Sequence, residues 1–389
     1  MYKAFRYRIF PTEPQKELIA KHIGSSRFVY NLALETKNAA YISAKHNYSA
    51  FDLVKQLPEL KKELPWLKEV NSQSLQQSIQ NMDIAFKKFF KGSGFPKFKS
   101  KHRGKQSFSI PQNVIVENSL LIIPKFKEGI KIKLHRPTKG VIKSATISVT
   151  PTGKYFVSIL CDTKEELPSK APIKENTTIG VDLGIKDFLI TSDGEVVSNP
   201  KYLRKAQSKL KYVQRKYSKH KGKRTKKKLT KLHEDVVNKR KDFLHKVSTQ
   251  LIRENQTICL ETLSVKNMVK NHNLAQAISD ASWSTFVTML EYKANWYGKN
   301  ILRIGRFAPS SKTCSCGVIN KDLKLSDRVW TCKSCGTTHD RDILAACNIK
   351  SFALKNIFSG TESKNQDELP RLLGVLTPEA QPIASGVGG

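Results

Sequence analysis

The chain has 389 residues, enough for two or three domains and at least one large core. Apolar residues make up 39% and no long uncharged apolar span occurs, which excludes a transmembrane-helix reading. Lys and Arg total 68 against 33 acids, a formal charge of +35. That excess suits a polyanionic partner bound through phosphate neutralisation, with a ribosome-associated or merely basic protein as the alternative that charge alone leaves open.

Residues 2–10 alternate like a strand and lack the continuous apolar region of a signal peptide, which predicts a cytoplasmic protein. Pro14 suits a first helical turn, so a helix is expected from Gln15 to about His22, and a second from Ser25 through Tyr41 with Phe28, Val29, Leu32 and Leu34 on one face. After a break at Pro65, residues 66–90 read as helical. Leu75, Ile79, Met82, Ile84, Ala85 and Phe89 form the apolar stripe there, with Gln76, Gln77 and Gln80 beside it. From Lys87 to Lys105 basic residues (Lys87, Lys88, Lys97, Lys99, Lys101, Arg103, Lys105) interleave with aromatics and glycines, a pattern suited to base stacking plus phosphate contact. A solvated basic loop is the plainer reading. Short β runs follow at 114–123, 130–135, 142–150 and 155–161, separated by turns at Gly129, Gly140 and Gly153. With the first strand they predict a small β-barrel or folded sheet, followed by a polar linker.

The second half opens on Ile179, Val181 and Leu183, which suit a central strand with Asp182 facing away from them and Gly184 leaving room for a close approach. Residues 188–191 and 195–197 read as a hairpin after it. Residues 201–246 are strongly basic and helical in period, breaking at Lys221-Gly222-Lys223-Arg224. They predict two antiparallel helices with a basic tip that includes Arg224, Lys226, Lys227 and Lys228. So cationic a face repels itself unless a polyanion lies on it. Residues 256–263 form a second buried strand carrying Glu261; a helix over 283–297 and a strand over 300–304 follow. His339-Asp340-Arg341-Asp342 opens a helix with Ala345, Ala346, Ile349 and Ala353 inward, and residues 359–389 are expected to be a mostly disordered tail.

Two constellations carry chemistry. Cys314-Ser315-Cys316 and Cys332-Lys333-Ser334-Cys335 are each followed by a glycine, so each pair can sit on a knuckle around a structural Zn²⁺. A redox dithiol is the alternative, but it does not account for four clustered cysteines. Asp182 and Glu261 lie near the ends of buried strands, and Asp342 lies at a helix start. If those strands are neighbours the three carboxylates converge, and their repulsion calls for divalent cations. Two Mg²⁺ ions among them suit phosphodiester hydrolysis. Asp340 reads as a helix cap.

Gly180-Val181-Asp182-Leu183-Gly184, Leu260-Glu261 and His339-Asp340-Arg341-Asp342 resemble the three segments of a RuvC-like nuclease of the RNase H fold. With cysteine knuckles just before the third acid, the chain resembles TnpB, the RNA-guided endonuclease family of insertion sequences. Arg27-Phe28-Val29-Tyr30-Asn31, Leu75-Gln76-Gln77 and Phe95-Pro96-Lys97-Phe98-Lys99 resemble that family's recognition region. The resemblance implies a multidomain α+β chain: an N-terminal β-barrel with a helical insertion, and a C-terminal RNase H-like (RuvC) α/β nuclease domain with an inserted zinc-binding knuckle. The expected boundaries are 1–162 for the recognition half (strands 2–10 and 114–161, insertion 12–105), 163–177 for the linker, 178–305 and 338–356 for the nuclease, 306–337 for the zinc insertion and 357–389 for the tail. It further implies a guide RNA from the transposon end, a double-stranded DNA target beside a short target-adjacent motif, one Zn²⁺ and two Mg²⁺. No membrane and no obligate protein partner is expected. Nucleic-acid contacts are expected at Tyr30, Asn31, Gln76 and Gln77 as well as at the basic residues above. Two departures stand out: Leu344 occupies a position where the family often has Asn, and the first cysteine pair is one residue short. A cleavage-dead guided repressor and a guide-independent transposase are the competing functions.

Overall fold

The computed structural model describes residues 1–324 and 326–359; most of the expected tail, from residue 360 on, lies outside the described residues. The chain divides into two compact units, with the boundary between Glu165 and Glu166.

The first unit contains β1 (Tyr2–Phe10), α1 (Glu13–Ala44), α2 (Ala50–Lys55), α3 (Leu57–Glu63), a 3₁₀ turn (Pro65–Lys68) and α4 (Ser72–Phe89). Six more strands follow: β2 (Gln106–Ile110), β3 (Ile115–Glu117), β4 (Leu120–Ile123), β5 (Phe126–Lys133), β6 (Val141–Val149) and β7 (Tyr155–Asp162). The strands form one antiparallel ladder in the order β2-β6-β7-β1-β5-β4-β3, and no pairing joins β2 to β3 among the described residues. By hydrogen bonding it is a seven-stranded sheet with two ends, the folded-sheet alternative of the sequence reading and not the closed barrel that the family resemblance implied. Alternation along β1 puts Phe5, Tyr7 and Ile9 into its core.

The two helices expected over 15–41 are one helix, α1. Gly24 costs a helix interior about 1 kcal/mol, yet burial on both sides of it overrides that cost. Ile19 and Ile23 pack into the sheet core, and Val29, Tyr30, Ala33 and Leu34 into a separate helical core with α4. One rod spans two cores.

The second unit carries β8 (Thr178–Leu183), β9 (Asp187–Thr191), β10 (Val196–Ser198), α5 (Tyr202–His220), α6 (Lys223–Glu254), β11 (Thr257–Glu261), α7 (Val265–Met268), α8 (His272–Ala281), α9 (Trp283–Trp296) and β12 (Asn300–Ile304). A small hairpin, β13 (Val329–Thr331) and β14 (Thr338–Asp340), precedes α10 (Arg341–Phe358). The main sheet runs β10-β9-β8-β11-β12, antiparallel on the β9 side of β8 and parallel from β8 through β12. A parallel sheet needs both faces covered. Ile179, Val181, Ile258 and Leu260 face α6 and α9, whereas Cys259, Leu302 and Ile304 face Ile349 and Ala353 of α10. Asp280, buried, accepts from the backbone N–H groups of Leu203 and Arg204 at the start of α5 and from Arg240 of α6, which fixes the base of the α5–α6 pair. No helix among the described residues is long and apolar enough to cross a membrane.

Candidate functional site

Parallel pairing of β8 and β11 sets Val181 opposite Leu260. The next residue on each strand is an acid, Asp182 and Glu261, so they emerge side by side at the strands' C-terminal ends. Both lie on the face covered by α10, because they alternate with the residues that face α6 and α9. Asp342 arrives from the first turn of α10, which lies across β8 at Gly180. The electrostatics record the convergence. Desolvation pushes the Asp182 carboxyl up to about 7, the charges of Glu261 and Asp342 push the same way, and Arg341 and the Leu183 backbone pull against them. The structure thus brings together the three acids singled out in the sequence.

Each of the other two acids has a partner that the sequence did not announce. Glu261 accepts a hydrogen bond from the Ser310 hydroxyl. Asp342 is gripped by Arg328, which leads into β13, and by Arg341, whose Nη2 lies 3.1 Å away. Asp340 caps α10, its Oδ1 accepting from the backbone N–H of Asp342 (3.0 Å) and Ile343 (3.1 Å). All three acids are half-buried; Arg328 and Arg341 balance Asp342, and the oxygen donors that remain on Asp182 and Glu261 suit a divalent cation.

Between β12 and α10 the four cysteine sulfurs all lie within 4.8 Å of one another. Cys314 and Cys335 are 3.5 Å apart and Cys316 and Cys332 3.8 Å apart, close to the roughly 3.8 Å edge of a tetrahedron with Zn–S bonds of about 2.3 Å. The short first pair therefore still brings both its sulfurs within 4.8 Å of the second pair. Gly317 (φ +90°) and Gly336 (φ +75°) close the two knuckles, and the left-handed backbone there is the glycine's contribution. Contact with the Thr337 side chain and backbone lowers the Cys335 thiol to about 6, toward the thiolate a metal needs. His339 Nε2 sits 3.0 Å from Cys314 Sγ. Leu344 packs with Cys314, Leu323, Trp330 and Cys332, so the residue that departs from the family pattern anchors the knuckle to α10.

This arrangement coincides with clear sequence kinship. Residues 158–272 match a family profile described as "Probable transposase", residues 283–349 one described as "Cas12f1-like, TNB domain", and residues 1–46 one described as "Helix-turn-helix domain". A Streptomyces pristinaespiralis protein named "Putative RNA-guided DNA endonuclease" is 38% identical over 95% of this chain and 94% of its own length. The Escherichia coli K12 protein InsQ, named in the same terms, is 30% identical over 89% of this chain and 91% of its own. This chain belongs to the TnpB family. A mimivirus TnpB-like protein is 27% identical over 90% of this chain and 73% of its own. A structure titled "Cryo-EM structure of the Cas12f1-sgRNA-target DNA complex" aligns with a TM-score of 0.35 at 16% identity, covering 90% of this chain and 99% of that one, too loosely to carry an argument.

Within this TnpB chain the expected nucleic-acid residues divide. Tyr30 is 5% exposed in the helical core, with the Lys99 ammonium 3.8 Å from its ring centroid. Asn31 spends its amide on the Lys99 backbone, at 2.8 and 3.0 Å. Both pin the basic loop to α1. Gln77 bonds to Asn81 and Lys87 pairs with Asp83, while Lys88 is half-buried. Gln76, Lys97, Lys101, Arg103 and Lys105 are exposed. In the second unit Arg224, Lys226, Lys227 and Lys228 are exposed at the N-terminus of α6, whose first turn holds no acid. Cations there oppose the helix dipole. Residues 1–46, matched as helix-turn-helix, form here a strand and one long helix.

Proposed function

We propose that the chain is an RNA-guided DNA endonuclease, hydrolysing phosphodiester bonds at Asp182, Glu261 and Asp342. The observation that carries this reading is the meeting of those three carboxylates at the C-terminal edge of β8 and β11, in a chain 38% identical to a relative bearing that name. The strand order β10-β9-β8-β11-β12, with its change from antiparallel to parallel at β8, supports an RNase H-like (RuvC) domain. Asp182, Glu261 and Asp342 would hold two Mg²⁺ ions, which supply an activated water and neutralise the leaving oxygen. Arg328, beside Asp342, would offer its guanidinium to a phosphate of the DNA strand. The four cysteines would hold one Zn²⁺, and the basic tip of α6 would bind guide RNA. The first unit, with Gln76 and the loop lysines, would read a target-adjacent motif.

The test is plasmid cleavage by the chain purified with RNA from its transposon end, in Mg²⁺. Asp182→Ala, Glu261→Ala and Asp342→Ala should each abolish cutting and leave RNA binding intact; cutting that survives any of them overturns the assignment. A second reading keeps the Arg328 and Arg341 pairs on Asp342 in a cleavage-dead guided repressor, against which the three intact acids argue. Target binding without cutting in the same assay selects it. A guide-independent transposase would act on transposon ends after RNase treatment.

A further inference from the structure

Asn348 lies less than two turns beyond Asp342 on α10, buried at 8% exposure. Its Nδ2 donates to two carbonyls of the loop between β12 and the first knuckle, Ser310 O at 2.7 Å and Thr313 O at 2.6 Å. That loop is a stiff unit. Lys312 N and Thr313 N both donate to Pro309 O at 3.1 Å, and the Thr313 hydroxyl donates to the same oxygen at 2.8 Å. Its two ends reach the two metal sites. At one end the Ser310 hydroxyl donates to Glu261; at the other, Thr313 is followed directly by Cys314.

We propose that Asn348 is a positioning residue that couples the cysteine knuckle to the nuclease acids, so that zinc loading and divalent-cation binding at Glu261 reinforce each other. The amide hydrogens hold one rigid loop to the helix that also carries Asp342. Wherever the loop settles, Ser310 carries the Glu261 carboxylate with it and Thr313 carries the Cys314 thiol. Zinc fixes the Cys314 end. Without zinc the loop keeps its tie to Asn348 and loses its second anchor, and Glu261 is held less firmly against Asp182. An outer partner of a metal ligand typically contributes 10–100-fold to affinity.

The inference rests on the nuclease reading only in taking Asp182, Glu261 and Asp342 as ligands. Its test uses the full chain without nucleic acid, following Mn²⁺ by electron paramagnetic resonance and Zn²⁺ by chelator competition. Asn348→Asp sets a carboxylate against two carbonyls; it should weaken Mn²⁺ binding about tenfold and Zn²⁺ binding about 10–100-fold. Ser310→Ala removes only the Glu261 arm and should weaken Mn²⁺ while leaving Zn²⁺ unchanged. Stripping zinc from the unaltered chain should weaken Mn²⁺ about tenfold, a readout that needs no folded variant. Mn²⁺ affinity that ignores zinc removal, or a folded Asn348→Asp chain with both affinities intact, overturns the coupling. Mn²⁺ binding insensitive to Asp182→Ala would sink the ligand reading and the coupling together. Metal coupling in a chain that never cuts DNA would sink the nuclease alone.

Discussion

A Cβ on Gly180 would stand 2.0 Å from the carbonyl oxygen of Ala346 and 2.9 Å from the backbone nitrogen of Lys350. The glycine that matters most in this strand is thus the one under α10, while the backbone that approaches Gly184 is the chain's own Asp187. Since both obstacles at Gly180 are main-chain atoms, Gly180→Ala must lift the helix. We expect a loss of about 3 kcal/mol in urea unfolding, with weakened divalent-cation binding because Asp342 rides on that helix. An unchanged urea midpoint would contradict this packing.

Asp182 titrates near 7, far above its ordinary 3.8. Between those values the folded chain keeps a proton that the unfolded chain has released, so without metal the carboxyl removes stability as pH rises through the window. A divalent cation must displace that proton below pH 7. Mg²⁺ should therefore raise the melting temperature more at pH 8 than at pH 6, and its affinity should fall by up to about tenfold for each unit below 7. Calorimetry at the two pH values decides it.

His22 is fully buried between Phe108 and Phe126, its Nδ1 2.8 Å from Leu18 O and its Nε2 accepting from Asn71 N at 3.0 Å. Desolvation holds its pKa below the ordinary 6.5, and nearby Lys125 adds to this against the Leu18 hydrogen bond. The stability it contributes is whole above pH 6.5 and drains as pH falls below that value, because the unfolded chain then binds the proton more readily. The first unit's resistance to chemical denaturation should fall from pH 7.5 to 5.5, and His22→Gln should flatten that dependence. A dependence equally steep in the variant would assign it elsewhere.

Trp330 packs inside the knuckle with Cys314, Leu323, Cys332 and Leu344. Chelating zinc, or changing Cys335→Ser, should red-shift its fluorescence as that small core opens, since such modules take much of their folding free energy from the metal. The first unit's unfolding should not change. An unshifted spectrum in metal-free protein would show that the knuckle packs without zinc.

Replacing Arg224, Lys226, Lys227 and Lys228 by Ala together tests the tip of α6. If each neutralises a phosphate of single-stranded RNA, the log–log salt slope of binding should shrink by about 2.8. Helix stability should hold or rise, because four cations leave the positive end of the dipole. A slope that stays put would make the tip ordinary solvated surface.

The sequence announced the three acids because each stood where local pattern ended, at the close of an apolar strand or the opening of a helix. The cysteine set was legible from composition and spacing. Ser310, Arg328 and Asn348 were not, since a serine in a loop or an asparagine in a helix has no pattern until tertiary contacts give it a partner. The polar Asn348 inside an otherwise apolar helical face was the one available hint. Tyr30, expected at a nucleic-acid contact through the family resemblance, lies in the helical core because α1 turns that face toward α4. The strand β2 went unseen because only Phe108 and Ile110 alternate in it, straight after a run of lysines.

Helix α10 carries Asp342 in its first turn, Leu344 against the knuckle, Ala346 over Gly180 and Asn348 under the loop. Each residue added to an α-helix rotates all later side chains by about 100° and advances them by about 1.5 Å. One residue inserted or deleted between Asp342 and Asn348 would leave every side chain chemically intact and put the acid out of phase with the amide. The same change at Lys221-Gly222, between α5 and α6, meets no buried neighbour. Length variation is therefore tolerable at the basic tip and ruinous over these seven residues, whichever side chains they bear.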